Sequence, residues 1–349
     1  MTAPKTRVLI VDDSAAYRMM WKKILSAEPD IEVVGSASDG KVAIEQIAAL
    51  GADIVLLDIE MPNMDGLTAI PLLLRARPGV RIVVASALST HGSQVAIRAL
   101  LAGATDYVPK PTSLSEHGSL ETVAKSLIEK VRVLSKRVQE RARQQHETAV
   151  RAGPRRKPRA IVVGSSTGGP SALSLLLTEL PAAVRAPILI VQHMPPFFIT
   201  ALAERLAKET GRDVREGRHG EPVVNGAVYL APGDSHMAVE PGPDGAHISI
   251  SHGEPVNFCR PAVDVLFGAA AAYYGPELLA VVLTGMGEDG KAGAGQVVAA
   301  GGTVLAQDEA TSVVWGMPGA VAKAGYASSI LPLSRIPLVI GELVKGSAA

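Results

Sequence analysis

Short apolar runs alternate with longer segments of helical composition along most of this chain, and each run stops abruptly at a polar or small residue. Arg7-Val8-Leu9-Ile10-Val11 ends in Asp12-Asp13-Ser14, and Ala15 to Leu25 then has the composition of a helix. A strand over 31–37 and a helix over 39–50 follow. Next come a strand over 53–57 closed by Asp58, the turn Met61-Pro62-Asn63-Met64-Asp65-Gly66 and a helix to about Arg75. A strand over 81–85 ends in Ser86, a helix lies near 94–101, and a strand over 105–108 runs into Pro109-Lys110-Pro111. Strands apolar on both faces and separated by helices predict a parallel sheet covered on each side. In such folds function collects at the carboxyl ends of the strands.

At 349 residues, and at roughly 150 residues per domain, the chain is expected to form two domains. Its 34 basic and 34 acidic side chains cancel, so no global field directs it to nucleic acid or an anionic membrane. No apolar run approaches the ~18 residues of a membrane span, and the N-terminus lacks a long apolar core. A soluble protein that is not secreted is expected, without nucleic-acid binding or membrane insertion. The single cysteine, Cys259, has no internal disulfide partner and reads as structural.

The topology gathers Asp12, Asp13, Asp58, Ser86 and Lys110 at strand ends in one crevice. Three carboxylates there repel unless a cation joins them; oxygen ligands with room for water suit Mg²⁺, and Lys110 supplies a second positive charge. Bridged by that metal to an incoming phosphoryl group, Asp58 can act as the nucleophile, with Ser86 bonding a phosphoryl oxygen. Helix capping by strand-end acids accounts for Asp12 and Asp13 singly but not for five matching positions. With Tyr107 and the Lys110-Pro111 pair added, residues 5–131 resemble the receiver domain of two-component response regulators. The resemblance implies a flavodoxin-like five-stranded sheet, Mg²⁺-dependent phosphorylation of Asp58 by a sensor histidine kinase, a relay through Ser86 and Tyr107, and a cis Lys110–Pro111 bond.

Residues 132–159 carry ten Lys or Arg against Glu140 and Glu147 and close on Gly153-Pro154-Arg155-Arg156-Lys157-Pro158. The first half can extend the last receiver helix, and the second half is expected to be a mobile tether. It contains no aromatic residue to stack on bases, so nucleic acid is disfavoured as its partner.

Beyond it, over 160–349, Ile161-Val162-Val163 leads into Gly164-Ser165-Ser166-Thr167-Gly168-Gly169-Pro170 and a helix over 171–180. Gly164-x-Ser166-x-Gly168 has the spacing of a nucleophile elbow, although serines in such turns often only bond local backbone. A strand over 186–191 is followed by His193, and a helix spans 199–210. Strands near 227–230, 237–240 and 246–251 look like an antiparallel excursion. A strand over 278–283 ends in Thr284-Gly285-Met286-Gly287-Glu288-Asp289-Gly290, before a helix over 292–300 and a strand over 303–306. A serine, a histidine and an aspartate each following a strand suit a hydrolytic triad: Ser166 attacks, His193 takes its proton and Asp289 orients the imidazole. The Met286 amide, with Thr167 as an auxiliary group, can hold the oxyanion, and the chemistry needs no cofactor. The order Ser, His, Asp differs from that of ordinary α/β-hydrolases. Gly285-x-Gly287-x-x-Gly290 with Asp308 on the next strand also fits a dinucleotide fingerprint, although Glu288 and Asp289 would repel a pyrophosphate.

Five separated blocks resemble the catalytic domain of chemotaxis protein-glutamate methylesterases: Gly164 to Gly169, Gln192-His193-Met194-Pro195, Ala231-Pro232-Gly233-Asp234, Arg260 to Phe267 and Leu283 to Gly290. The resemblance implies the Ser166, His193, Asp289 triad and hydrolysis of glutamate methyl esters on chemoreceptors, giving methanol, with deamidation of receptor glutamines. It also implies a cytoplasmic protein recruited to receptor arrays, with the receiver covering the esterase site until Asp58 is phosphorylated. Glu288 leaves open which carboxylate meets His193. A response regulator with a catalytically inactive, partner-binding second domain and a dinucleotide-dependent oxidoreductase are the competing readings.

Overall fold

The computed structural model describes residues 4–111, 119–140 and 156–346, divided between two compact units, Met1–Gln144 and Gln145–Ala349. In the first unit β1 (Thr6–Val11), β2 (Ile31–Ala37), β3 (Ile54–Asp58), β4 (Arg81–Ser86) and β5 (Asp106–Pro109) form a parallel sheet in the order β2-β1-β3-β4-β5. Among the described residues five helices connect and follow them: α1 (Ala15–Ser26), α2 (Gly40–Leu50), α3 (Gly66–Ala76), α4 (Thr90–Leu101) and α5 (Leu120–Glu140). The order reverses between β1 and β3, which opens a crevice at their carboxyl ends.

Local chemistry sets the helix starts. Ser14, Asp39 and Asp65 each accept an amide hydrogen bond from the first turn of α1, α2 and α3. Ser89 does the same for α4, accepting from the Gly92 amide at 3.0 Å, so that helix begins four residues before the sequence suggests. Gly92, in the first turn, lowers the helix propensity of that stretch. Val123, Leu127, Val131 and Leu134 form the buried stripe of α5, which carries the helix through the start of the basic run to Glu140. Residues 141–155, where a mobile tether is expected, lie outside the described residues. The Lys110–Pro111 peptide is trans, contrary to the family tendency; the two isomers of an X–Pro bond differ by only ~0.5–1 kcal/mol, so local context decides.

The second unit holds a seven-stranded sheet and a separate hairpin. Its strands are β6 (Ala160–Ser165), β7 (Ile188–Gln192), β8 (Asp213–Glu216), β9 (Ala227–Leu230), β10 (His236–Gly242), β11 (Gly245–Ser251), β12 (Leu278–Val282), β13 (Thr303–Gln307) and β14 (Ser329–Leu331). The large sheet runs β14-β13-β12-β6-β7-β9-β8, parallel throughout, and β10 pairs β11 antiparallel. Among the described residues the antiparallel excursion is therefore this hairpin, joined by an isolated antiparallel bridge between Pro222 and His247. Ala227–Leu230, buried at every position, belongs to the parallel sheet as β9.

The helices are α6 (Gly169–Glu179), α7 (Pro196–Thr210), α8 (Val263–Tyr274), α9 (Lys291–Ala299), α10 (Met317–Lys323) and α11 (Ile336–Lys345). Leu266 and Phe267 of α8 are fully buried among Val162, Leu189, Ala280 and Val304 of the sheet, each stabilising the fold by ~1.5–3 kcal/mol. β6 lies between β7 and β12, so three neighbouring strands end on one edge. Among the described residues no helix is long and apolar enough to cross a membrane.

Candidate active site

Ser166 follows β6 directly, His193 follows β7, and the Thr284 to Gly290 loop follows β12. Register brings them together: Ser165 is opposite Gln192, and the His193 amide donates to the Ser165 carbonyl at 3.1 Å. The elbow is clamped from both sides. Ser165 Oγ donates to Gln192 Oε1 at 2.7 Å, Gln192 Nε2 donates to the Ser166 carbonyl at 2.9 Å, and the Ser166 amide donates to the Thr284 carbonyl at 3.0 Å. Thr284 Oγ1 in turn donates to the carbonyl of Thr167 at 2.9 Å. Gly168, the N-cap of α6, adopts φ 77°, a conformation that disfavours a β-carbon. Gly285 is needed for proximity, since a β-carbon there would lie 2.9 Å from Ser166 Cβ and 2.3 Å from Met317 Sδ. Ser166 Oγ has no hydrogen-bond partner among the described residues, and such contacts often tighten only with substrate bound. The Met286 amide likewise has no acceptor among them, leaving it available at the elbow.

His193 Nε2 and Asp289 Oδ2 are 2.8 Å apart. Asp289 is buried and accepts five hydrogen bonds: from His193, from Asn257 Nδ2 at 3.0 Å, and from the amides of Val263, Asp264 and Gly290 at 2.6, 3.1 and 3.0 Å. Val263 and Asp264 open α8, so the carboxylate also caps that helix. Burial pushes the Asp289 carboxyl up, but His193 and the helix amides outweigh it and hold the group below the usual range. Burial also pushes the His193 imidazolium down, and the Asp289 hydrogen bond with the Cys259 sulfur reverses this, raising it to about 9. Glu288 points away; exposed, it pairs with Lys291 at 2.9 Å. The carboxylate that meets His193 is thus Asp289.

The first unit builds a different acidic site. Carboxylate oxygens of Asp12, Asp13 and Asp58 lie within 4.8 Å of one another. Lys110 Nζ is 2.7 Å from Asp58 Oδ2 and 3.2 Å from Asp12 Oδ2, yet Asp12 Oδ2 receives no well-directed hydrogen bond. Burial, opposed by Lys110, pushes both the Asp12 and Asp58 carboxyls above the usual range. The Lys110 ammonium, disfavoured by burial, is held above its ordinary value by those two acids. A buried, underbonded carboxylate oxygen beside two others fits an oxygen-seeking divalent cation. A cavity of about 90 Å³, lined by Asp58, Ser86, Gly92 and Lys110 among others, adjoins it. The Ser86 hydroxyl donates to the Gly92 carbonyl at 2.8 Å, and the buried Tyr107 ring lies 4.9 Å below Lys130 Nζ.

Residues 161–340 match the model of the CheB methylesterase family, and residues 8–119 match the response regulator receiver domain. The protein-glutamate methylesterase/protein-glutamine glutaminase of Azospirillum brasilense is 45% identical, over 98% of this chain and 93% of its own. The protein of that name from Nocardioides sp. is 44% identical over 98% and 96%. This chain belongs to the CheB methylesterase family. A crystal structure of the Thermotoga maritima CheB methylesterase catalytic domain is 44% identical with a TM-score of 0.52, covering 54% of this chain and 99% of that one.

Several site residues of this chain escape a sequence reading. Gln192 and Thr284, the elbow clamps, are visible only as polar residues ending apolar runs. Gln307, whose Oε1 accepts the Thr284 amide at 2.8 Å, closes β13 in the same way. Asn257 reaches both Asp289 and Asp264 Oδ2, the latter at 2.7 Å. Cys259, read as structural, is partly exposed with Sγ 3.7 Å from His193 Nδ1. His193, Cys259 and Asp289 present ligand-type atoms within 4.8 Å, but the Asp289 oxygens are already filled by five donors, so the trio is poorly suited to a metal. The dinucleotide reading also falls, because Asp289 folds into its own loop and takes the Gly290 amide at the start of α9. Asp308 instead caps a local turn by accepting from the Thr311 amide at 2.9 Å.

Asn257 and Phe258 form the tip of a tight turn. The Val256 and Cys259 backbones exchange hydrogen bonds of 3.1 and 2.9 Å around them, and the two residues adopt φ 53° and 62°. A two-residue turn of this hand requires positive φ at both positions, which asparagine tolerates and phenylalanine does not; such strain costs ~1–3 kcal/mol.

Proposed function

We propose that this chain is a phosphorylation-controlled protein-glutamate methylesterase and protein-glutamine glutaminase, acting through Ser166, His193 and Asp289. The observation that carries it is the His193–Asp289 pair at 2.8 Å beside a serine lifted onto an elbow by the adjoining strand. In this mechanism Ser166 Oγ attacks the side-chain carbonyl carbon of a glutamyl methyl ester as its proton passes to His193. The Met286 amide receives the developing oxyanion, and Thr167 helps shape that corner. His193 then delivers the proton to the departing methoxide, which leaves as methanol, and the Ser166 acyl-enzyme is hydrolysed by water activated by the same imidazole. A glutamine side chain follows the same path with ammonia as the leaving group. Asp289, kept ionised by its five donors, stabilises the imidazolium formed in each half-reaction.

In the same reading residues 1–131 are the receiver, 132–159 a basic linker and 160–349 the esterase. Asp58 accepts the phosphoryl group from a sensor histidine kinase, with Asp12, Asp13 and Asp58 holding Mg²⁺, which neutralises the transferring oxygens when bound. Lys110 balances the remaining charge, and Ser86 leaves Gly92 to bond the phosphoryl group while Tyr107 repacks. The substrates are methylated chemoreceptors, which places the protein in the cytoplasm at membrane-bound receptor arrays.

The test is methanol release from methylated chemoreceptor membranes with and without Mg²⁺ and a small phosphodonor. Release that requires Ser166 and rises with phosphodonor supports the reading. Asp58→Asn is expected to leave a folded, weakly active enzyme with no response to phosphodonor; a retained response would remove Asp58 from its role. Asp58 phosphorylation without release from any receptor would leave a regulator whose second domain has another substrate.

A further inference from the structure

Phe258 is fully exposed, at 103% relative exposure, on a turn that asks for residues tolerant of positive φ. Its ring contributes nothing to the core, while glycine or asparagine would relieve the backbone. The turn itself is anchored on both sides to the catalytic pair: Asn257, before it, bonds Asp289 at 3.0 Å, and Cys259, after it, lies 3.7 Å from His193. The chain has four phenylalanines, of which Phe198 and Phe267 are fully buried. The other exposed one, Phe197, is 52% exposed at the start of α7, four residues after His193. Both solvent-facing phenylalanines therefore stand on segments that lead directly from the catalytic pair. A strained, exposed aromatic beside a reactive centre is a contact waiting for a partner, because buried aromatics dominate the energy of protein recognition.

We propose that Phe258 is a substrate-contact residue, its ring seating against apolar side chains that flank the target glutamate on the substrate protein. The proposal rests on the esterase reading above and identifies what that esterase recognises beyond the ester. A polypeptide is favoured over a free small ester because the groups assigned to the reacting ester are Ser166, His193 and Met286, while Phe258 is fully exposed to solvent. An exposed ring on a turn tied to that pair is placed to meet what is attached around the ester. The partner surface is accordingly one that places apolar side chains next to an esterified or amidated carboxyl.

The experiment uses the full chain carrying Phe258→Gly, assayed on methylated chemoreceptor membranes and on N-acetylglutamate γ-methyl ester. The expected result is a receptor KM about tenfold higher with kcat held within about twofold, and small-ester kcat/KM also within about twofold. The unfolding midpoint should rise, because glycine relieves the turn, and Phe258→Leu should recover most of the KM. An unchanged receptor KM would overturn the proposal. An equal loss on both substrates would also overturn it, since the ring would then be acting through the turn on His193 and Asp289. If the unmodified chain releases no methanol, the esterase reading fails by itself. Cosedimentation of Ser166→Ala with the same membranes, compared with the Ser166→Ala, Phe258→Gly double variant, still reads the contact: weaker binding of the double variant supports it, and equal binding overturns it.

Discussion

Asp58 and Asp289 are both buried aspartates at or just beyond the carboxyl end of a central parallel strand, yet their surroundings drive them in opposite directions. Asp289 receives five hydrogen bonds, two of them from the first amides of α8, and its carboxyl is held below the usual range. Asp58 receives the Ile59 amide and the Lys110 ammonium, shares its crevice with Asp12 and Asp13, and is pushed above it. The saturated carboxylate is finished as folded: it caps α8 and is hydrogen-bonded to the His193 imidazole. The undersupplied one keeps lone pairs free for further ligands, which is what the proposed phosphorylation site requires. Burial alone therefore does not assign a role to an acid; the count of donors around it does.

The largest expected effect tests the saturated side. Ser166→Ala should lower ester hydrolysis by about 10⁴-fold or more while Asp58 phosphorylation proceeds normally. Loss of both together would mean that the two acids serve one site. Asp289→Asn comes next, with kcat falling ~10³–10⁴-fold and the His193 imidazolium, titrated by NMR, dropping from about 9 toward its ordinary value. An unmoved titration would show that Asp289 does not set the state of the imidazole.

The pH dependence sharpens the same contrast. In the proposed mechanism His193 takes the Ser166 proton as the neutral imidazole, and its imidazolium persists to about 9, so kcat/KM should climb with pH and level off near there. Because the folded value lies above the ordinary one, the pair stabilises the fold fully below about 6.5, and that contribution is lost as pH rises through about 9. Asp12 and Asp58 are raised carboxyls, so their share of stability is present below the ordinary value near 3.8 and lost as pH rises through the folded one. Mg²⁺ should offset that loss at neutral pH. At tenfold over its dissociation constant it adds ~1.4 kcal/mol, seen by calorimetry as an upward shift of the receiver transition alone and abolished by Asp12→Asn. A shift in the esterase transition would undo the contrast.

The receiver and the elbow could be read from the sequence because their functional groups terminate apolar runs, a one-dimensional signal that parallel topology converts into proximity. Asp12, Asp58, Ser86, Lys110, Ser166 and His193 all fall in this class. What supports Asp289 could not be read in this way. The α8 sequence, Val263 to Tyr274, is apolar nearly all round and shows no helical stripe, and Ala262 at its N-cap makes no side-chain capping bond. The group that serves its first turn is Asp289 itself, 26 residues further along. β8 is missed for the opposite reason, since Asp213-Val214-Arg215-Glu216 is an edge strand too polar to stand out. Cys259 gave no warning because nothing local marks a thiol that will lie against an imidazole 66 residues away.

The order β12-β6-β7 at the heart of the esterase sheet also bears on how this protein acquires its activity. Ser166, His193 and Asp289 are each delivered by a different strand end, and the last strand to arrive is encoded more than a hundred residues after the first. Parallel pairings over such separations are slow to close. Collapsed intermediates could acquire an elbow from β6 and α6, but His193 and Asp289 cannot meet until β12 has docked beside β6. In a refolding chain, hydrolysis should therefore lag behind the recovery of secondary structure and appear with completion of the sheet, making the reaction itself the reporter of the final long-range step.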